Sequence, residues 1–160
     1  MRAFFLILEN QIAESQRKRD ERPLTVLAMD IKNFDDINSK FGHAAGDEVL
    51  NFVARTVKDQ LRGMDFFSRA SHDEFLTILP TATEQVSWDV MARIRTAFVG
   101  NRLKLTDTNS IQIDVNFGWA SFGKDGETPE QLLNNARLRK LQSKSSDPQK
   151  ALWFPKEFVN

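Results

Sequence analysis

Residues 24–29, Leu-Thr-Val-Leu-Ala-Met, restrict the fold more than any other segment: an apolar run of strand length between Pro23 and Asp30. Proline stops a preceding helix, and a short run without polar alternation is what a strand covered on both faces requires. Such a strand sits in the middle of a sheet, and Asp30 then stands where the strand runs out.

The rest of the chain supplies the cover. Phe4, Phe5, Leu8 and Ile12 recur at three- to four-residue spacing, so an amphipathic helix is expected over 2–20, closed by the charged run 17–22. A short helix over 33–40 and a break at Gly42 follow. A longer helix over 46–62 then carries Val49, Leu50, Val53, Val57 and Leu61 and is closed by Gly63. Residues 64–70 and 75–79 read as two strands joined by the polar tip Ser71-His72-Asp73-Glu74. A helix over 83–99, a strand over 111–122, a helix from Thr128-Pro129 to about 143 and an edge strand over 151–154 complete the order. This order predicts an α+β sandwich of the ferredoxin-like kind, with a central, mainly antiparallel sheet flanked by helices. At 160 residues, with no repeat or linker, the chain is expected to be one domain over 1–160.

Charge narrows the function. Lys plus Arg and Asp plus Glu both number 22, so no net charge steers the chain to nucleic acid or an anionic membrane. Cysteine is absent, which removes thiolate nucleophiles and disulfides, and no run approaches a membrane span. A soluble, cytoplasmic protein whose function rests on a local site is the expectation.

Asp30 at a strand end and Asp73 at a hairpin tip offer hard oxygen ligands of the kind Mg²⁺ shares with substrate phosphates; the same spacing suits a helix cap and a turn residue. The segment Gly42-His43-Ala44-Ala45-Gly46-Asp47 places glycines at a helix start, where free N–H groups can meet a phosphate or a ring edge; His43 as a structural histidine and Asp47 as a first-turn carboxylate suit it equally. Arg62 and Asp65 form an Arg-x-x-Asp pair suited to an anionic, bidentate partner, or to closing a helix end. Arg137, Arg139, Lys140, Lys144 and Lys150 outnumber the single acid Asp147 and read as a solvated helix face.

Together these positions resemble the GGDEF domain of diguanylate cyclases and their inactive relatives, from about residue 2 to 150. Asp30-Ile31-Lys32-Asn33-Phe34 stands for the family's Asp-x-Asp-x-Phe. Asn38 and the stretch from Gly42 through Gly46-Asp47 to Leu50 match its next motif, and Ser71-His72-Asp73-Glu74-Phe75 stands for the signature. The resemblance implies a nucleotidyl-cyclase (palm-type) form of the sandwich. It implies Mg²⁺ held by Asp30, Asp73 and the Ile31 carbonyl, and Asp73 and Glu74 as the catalytic carboxylates. GTP would be bound by Phe34, Asn38, Asp47, Leu50 and Lys144, and the product cyclic di-GMP by Arg62, Asp65 and Arg93. Two such domains facing each other as a homodimer would join two GTP molecules into cyclic di-GMP and pyrophosphate.

The departures point elsewhere. Ser71 and His72 replace two glycines, Asp35 stands where the family has a phosphate-binding lysine, Pro148 replaces an arginine and Leu141 a tyrosine. The expectation is therefore a degenerate domain, weak or inactive as a cyclase, that binds cyclic di-GMP at Arg62-x-x-Asp65, GTP at the former active site, or both. An active cyclase, with Lys32 or Lys140 replacing the lost phosphate contacts, and a non-binding structural module remain as alternatives. The family's opening Asp-x-Leu-Thr motif is missing, so the chain is expected to be excised from a longer protein with sensor or phosphodiesterase neighbours.

Overall fold

The computed structural model describes residues 1–18 and 21–144. Along them run α1 (Arg2–Lys18), β1 (Leu24–Ile31), α2 (Phe34–Phe41), α3 (His43–Asp59), β2 (Phe66–Ser71) and β3 (Glu74–Pro80). They are followed by α4 (Glu84–Gly100), β4 (Leu103–Lys104), β5 (Ser110–Ile111), β6 (Val115–Ser121) and α5 (Pro129–Ser143).

All eight residues of β1 are buried, as a strand without polar alternation demands. Side chains alternate across a strand, so β1 feeds two cores. Leu24, Val26 and Ala28 pack with Phe4, Leu8 and Ile12 of α1 and Leu132, Leu133 and Ala136 of α5. Leu27, Met29 and Ile31 pack with Val49, Val53 and Val57 of α3 and Met91, Ile94 and Phe98 of α4. The main sheet has the order β2-β3-β1-β6 with every neighbouring pair antiparallel. It follows that β1 runs parallel to β2 across β3, and β3 parallel to β6 across β1. These two split βαβ units make the ferredoxin-like arrangement the element order predicts.

Four local differences have physical reasons. Helix α3 starts at His43 rather than 46, because Gly42, at φ 87°, turns the chain in one residue and Ala44 and Ala45 are strong helix formers. It ends at Asp59, not at Gly63. The turn beyond it is closed by Asp65, which accepts from the Arg62 backbone N–H at 2.7 Å. The strand expected over 111–122 divides into β5 and β6, since the Asp114 carboxylate takes the Val115 N–H at 2.8 Å and the Lys32 ammonium at 2.6 Å between them. The β4–β5 hairpin has only two residues per strand, too few for periodicity to register. The expected strand over 151–154 lies outside the described residues. No helix among the described residues is long and apolar enough to cross a membrane.

Candidate functional site

The end of the sheet beneath α5 gathers the carboxylates. Asp30 pairs in register with Glu74 of β3 on one side and Asn116 of β6 on the other, so the three side chains share one face. That face belongs to α5, and a glycine lets the helix approach it. A Cβ at Gly118 would stand 1.8 Å from the Ala136 carbonyl oxygen and 2.3 Å from the Lys140 nitrogen. Only glycine permits this contact, and it lays Arg137, Lys140 and Lys144 over the strand ends.

There the charges meet. Arg137 Nη2 donates to Glu74 Oε1 at 2.6 Å while its Nε reaches both carboxylate oxygens, and Lys140 Nζ donates to Glu74 Oε2. Asp30 is 3 % exposed; its Oδ1 accepts from Asn116 at 2.9 Å and its Oδ2 faces Lys144 Nζ at 2.6 Å. Burial works to raise the Glu74 carboxyl, but the Arg137 and Lys140 hydrogen bonds and charges outweigh it and hold it below the ordinary range. Asp73 moves the other way. Its own burial, followed by the nearby Asp30 charge, raises its carboxyl against a backbone hydrogen bond and the charges of His72 and Lys144. The α5 basic residues are therefore only in part a solvated face: Lys140 is buried and Arg139 forks onto Asp125, Lys144 is exposed at the helix end, and Lys150 with Asp147 lies outside the described residues.

The tip of the β2–β3 hairpin carries a non-glycine turn. His72 sits at φ 41°, its carbonyl accepts from Arg69 Nε at 2.7 Å, and its Nε2 lies 2.9 Å from Asp35 Oδ1. The imidazole also meets the Phe34 ring edge-on, with centroids 5.1 Å apart. Two unusual residues thus contact each other. Phe34 and Leu50 are buried in the α3–α4 core, and Asp47 is exposed one turn into α3, not in its first turn as expected, because the helix begins at His43. Gly46 makes room for Asn38: a Cβ there would stand 1.9 Å from the Asn38 Oδ1. The Asn38 amide therefore lies against the helix turn that bears Asp47. His43 is exposed at the start of that helix.

A second region lies beyond α3. Arg62 Nε and Nη2 fork onto the Asp65 carboxylate, with Nη2 to Oδ1 at 2.9 Å, and Nη2 also donates to the Pro80 carbonyl at 2.8 Å. This pair borders a hollow of about 520 Å³, lined also by Arg55, Lys58, Leu61 and Phe67. Arg93 of α4 donates to the Gln60 carbonyl at 2.9 Å, two residues before Arg62. A diguanylate cyclase GGDEF domain family model matches residues 1–149.

The chain belongs to the GGDEF domain family.

Diguanylate cyclase DosC of Escherichia coli K12 is 33% identical over 116 residues, 72% of this chain and 25% of DosC. Diguanylate cyclase A of Treponema denticola is 29% identical over 143 residues, 89% of this chain and 38% of that protein. The chain thus spans well under half the length of these relatives. Among solved structures, the GGDEF domain of TpbB (YfiN) from Pseudomonas aeruginosa aligns with a TM-score of 0.86 and 28% identity, over 92% of this chain and 84% of that one. An EAL/GGDEF domain protein from M. capsulatus aligns at 0.71 and 32% identity, over 79% and 81% of the two chains.

Diguanylate cyclases of the GGDEF family generally use Mg²⁺. The Asp30 and Asp73 carboxylates and the Ile31 carbonyl of this GGDEF domain are oxygen donors of the right type. As arranged they do not fit a divalent ion. Asp30 gives one oxygen to the Asn116 amide and the other to an ammonium group, and a second ammonium stands 3.5 Å away on Lys140. Among the described residues no three His, Cys, Asp or Glu side chains form a metal-binding group. Lys32, a candidate phosphate partner, is paired with Asp114. Sequence reasoning missed Asn116, and it missed Arg137 and Lys140 as the partners of Asp30 and Glu74. The signal was present for Lys140, since 132, 133, 136 and 140 continue one buried helical stripe.

Proposed function

We propose that this is a degenerate GGDEF domain of cyclic di-GMP signalling, weak or inactive as a cyclase, that binds cyclic di-GMP beside Arg62 and Asp65 with Arg93. The observation that carries this reading is the basic hollow: at about 520 Å³ it is of small-molecule size, and Arg55, Lys58 and Arg62 face it against the single carboxylate of Asp65. A dianionic dinucleotide suits that balance. Asp65 holds the Arg62 guanidinium in one plane before a ligand arrives, which lowers the ordering cost of a bidentate phosphate contact.

Loss of cyclase activity is supported at the other site. His72 and Asp35 stand where the family has a glycine and a phosphate-binding lysine, and their 2.9 Å contact leaves an acidic side chain in the place of that lysine's positive charge, which supports this reading. The Asn38, Gly46 and Asp47 arrangement supports a second reading, retention of GTP as a regulatory ligand, with Phe34, Leu50 and Lys144 completing its pocket. In either reading the domain works in the cytoplasm as one part of a longer protein, beside sensor or phosphodiesterase domains or a second copy. The EAL/GGDEF composition of the M. capsulatus protein supports that setting.

Calorimetric titration of cyclic di-GMP into the domain and into Arg62→Ala tests the proposal. Micromolar binding, about −8 kcal/mol, is expected for the former and none for the latter. Absence of binding to both overturns it.

A further inference from the structure

Lys140 is 8 % exposed, on the stripe of α5 that otherwise carries Leu132, Leu133 and Ala136 into the core. A lysine at that depth persists only where carboxylates receive it. Its Nζ donates to Glu74 Oε2 and lies 3.5 Å from Asp30 Oδ2, so the ammonium bridges the carboxylates of two neighbouring strands. The bridge cannot readily retreat. The backbone at Lys140 is pressed onto β6 at Gly118, where a Cβ would come within 2.3 Å of the Lys140 nitrogen. Lys144, the other partner of Asp30, is 43 % exposed at the helix end and free to turn outward.

We propose that the Lys140 ammonium is a resident cation at Asp30 and Glu74: it fills the seat between these carboxylates and keeps divalent ions out. Charge balance supports the assignment. Arg137, Lys140 and Lys144 bring three positive charges to Asp30, Asp73 and Glu74, leaving no excess negative charge to attract a dication. A dication at Asp30 would stand within a few ångströms of a fixed ammonium, in a setting too dry to screen the repulsion. This concerns a different region from the Arg62 hollow, so either inference can fail without the other.

The test is direct binding of Mn²⁺, a paramagnetic substitute for Mg²⁺, followed by electron paramagnetic resonance on the full chain. The wild type and Lys140→Arg, which keeps the charge, are expected to take up no Mn²⁺ beyond the level of Asp30→Asn. Lys140→Met removes the charge, keeps an unbranched apolar stem, and is expected to bind Mn²⁺ at least about tenfold tighter, with the gain lost again on adding Asp30→Asn. Lys140→Gln serves under the same criterion if circular dichroism shows the methionine variant unfolded. Tight Mn²⁺ binding by the wild type, or a folded charge-neutral variant that gains none, overturns the proposal.

Discussion

Two arginine–carboxylate forks lie at different places in this domain, and they do opposite work. Under α5, Arg137 grips Glu74, whose side chain is 14 % exposed, while Lys140 and Lys144 cover what remains of the acidic group. Beyond α3, Arg62 grips Asp65 at 2.9 Å, its side chain about as exposed as that of Arg137 and the Asp65 side chain fully buried, but there Arg55 and Lys58 add charge that no second acid lining the hollow answers. One region closes on itself; the other keeps a cationic surplus facing outward. The same contact becomes structural or receptive according to how the charges around it balance.

The sharpest way to separate the regions is to remove one member of each fork. Glu74→Ala leaves Arg137 and Lys140 without their carboxylate in a largely dry setting, and is expected to cost about 3 kcal/mol of folding stability, read from urea unfolding. Arg62→Ala strips the guanidinium from the buried Asp65 carboxylate but leaves it the Arg62 backbone N–H, and is expected to cost about 1–2 kcal/mol while abolishing cyclic di-GMP binding. Equal losses of stability would erase the contrast.

A second variant strikes the closed region from behind. Gly118→Ala places a methyl group where the α5 backbone already lies, and no flexible side chain is available to yield. An overpacking cost of about 1–3 kcal/mol follows, with a melting point lower by about 2–4 °C per kcal/mol. Cyclic di-GMP binding is expected to survive while the protein stays folded, because the hollow lies outside the α5 layer. An unchanged melting point would mean that α5 does not ride on β6 at this contact.

The sheet was legible in the sequence because burial on both faces leaves a strong mark: an unbroken apolar β1, and helices whose apolar positions recur every three to four residues. The elements it hid were short. Two-residue strands carry no period, and Gly63 looked like a helix end because a glycine after a helical stripe usually is one. At the site, residue types and spacing singled out Asp30, Asp73 and Asp47 and the family resemblance added Asn38, but neither reached what closes around Asp30. Lys140 was hidden by its charge, which outweighs its place on the buried stripe in any reading by composition. Asn116 is a polar residue between Val115 and Phe117 of β6, and only strand register puts it beside Asp30.

Asp125 sharpens the comparison through pH. It accepts both Nη groups of Arg139, at 2.9 and 2.7 Å, and the Ser121 backbone N–H at 2.8 Å, fastening α5 to the end of β6. Burial tends to raise its carboxyl, but these hydrogen bonds and the Arg139 and Lys124 charges hold it below the ordinary range. A carboxyl lowered on folding contributes stability that is complete above its unfolded pKa and is lost as pH falls through its folded one. Stability is therefore expected to decline on acidification through and below the ordinary carboxylate range, and Asp125→Asn is expected to make that decline shallower in urea unfolding at a series of pH values. A decline as steep in the variant as in the wild type would assign the acid sensitivity to other carboxyls.

The smallest effect belongs to the two residues that depart most from the family pattern. The His72 and Asp35 side chains are 59 % and 89 % exposed, so their 2.9 Å contact is open to solvent and worth under about 1 kcal/mol. His72 also pays for its position, at φ 41°, where glycine is at ease and an L side chain is not. The gain from the contact and the backbone cost are of similar size and opposite sign. His72→Gly is accordingly expected to change stability by less than about 0.5 kcal/mol. A double-mutant cycle with Asp35→Ala isolates the contact from the backbone term, with a coupling energy below about 1 kcal/mol expected. A larger coupling would show that the hairpin tip, exposed as it is, holds α2 in place, making this pair a second closed region rather than a surface contact.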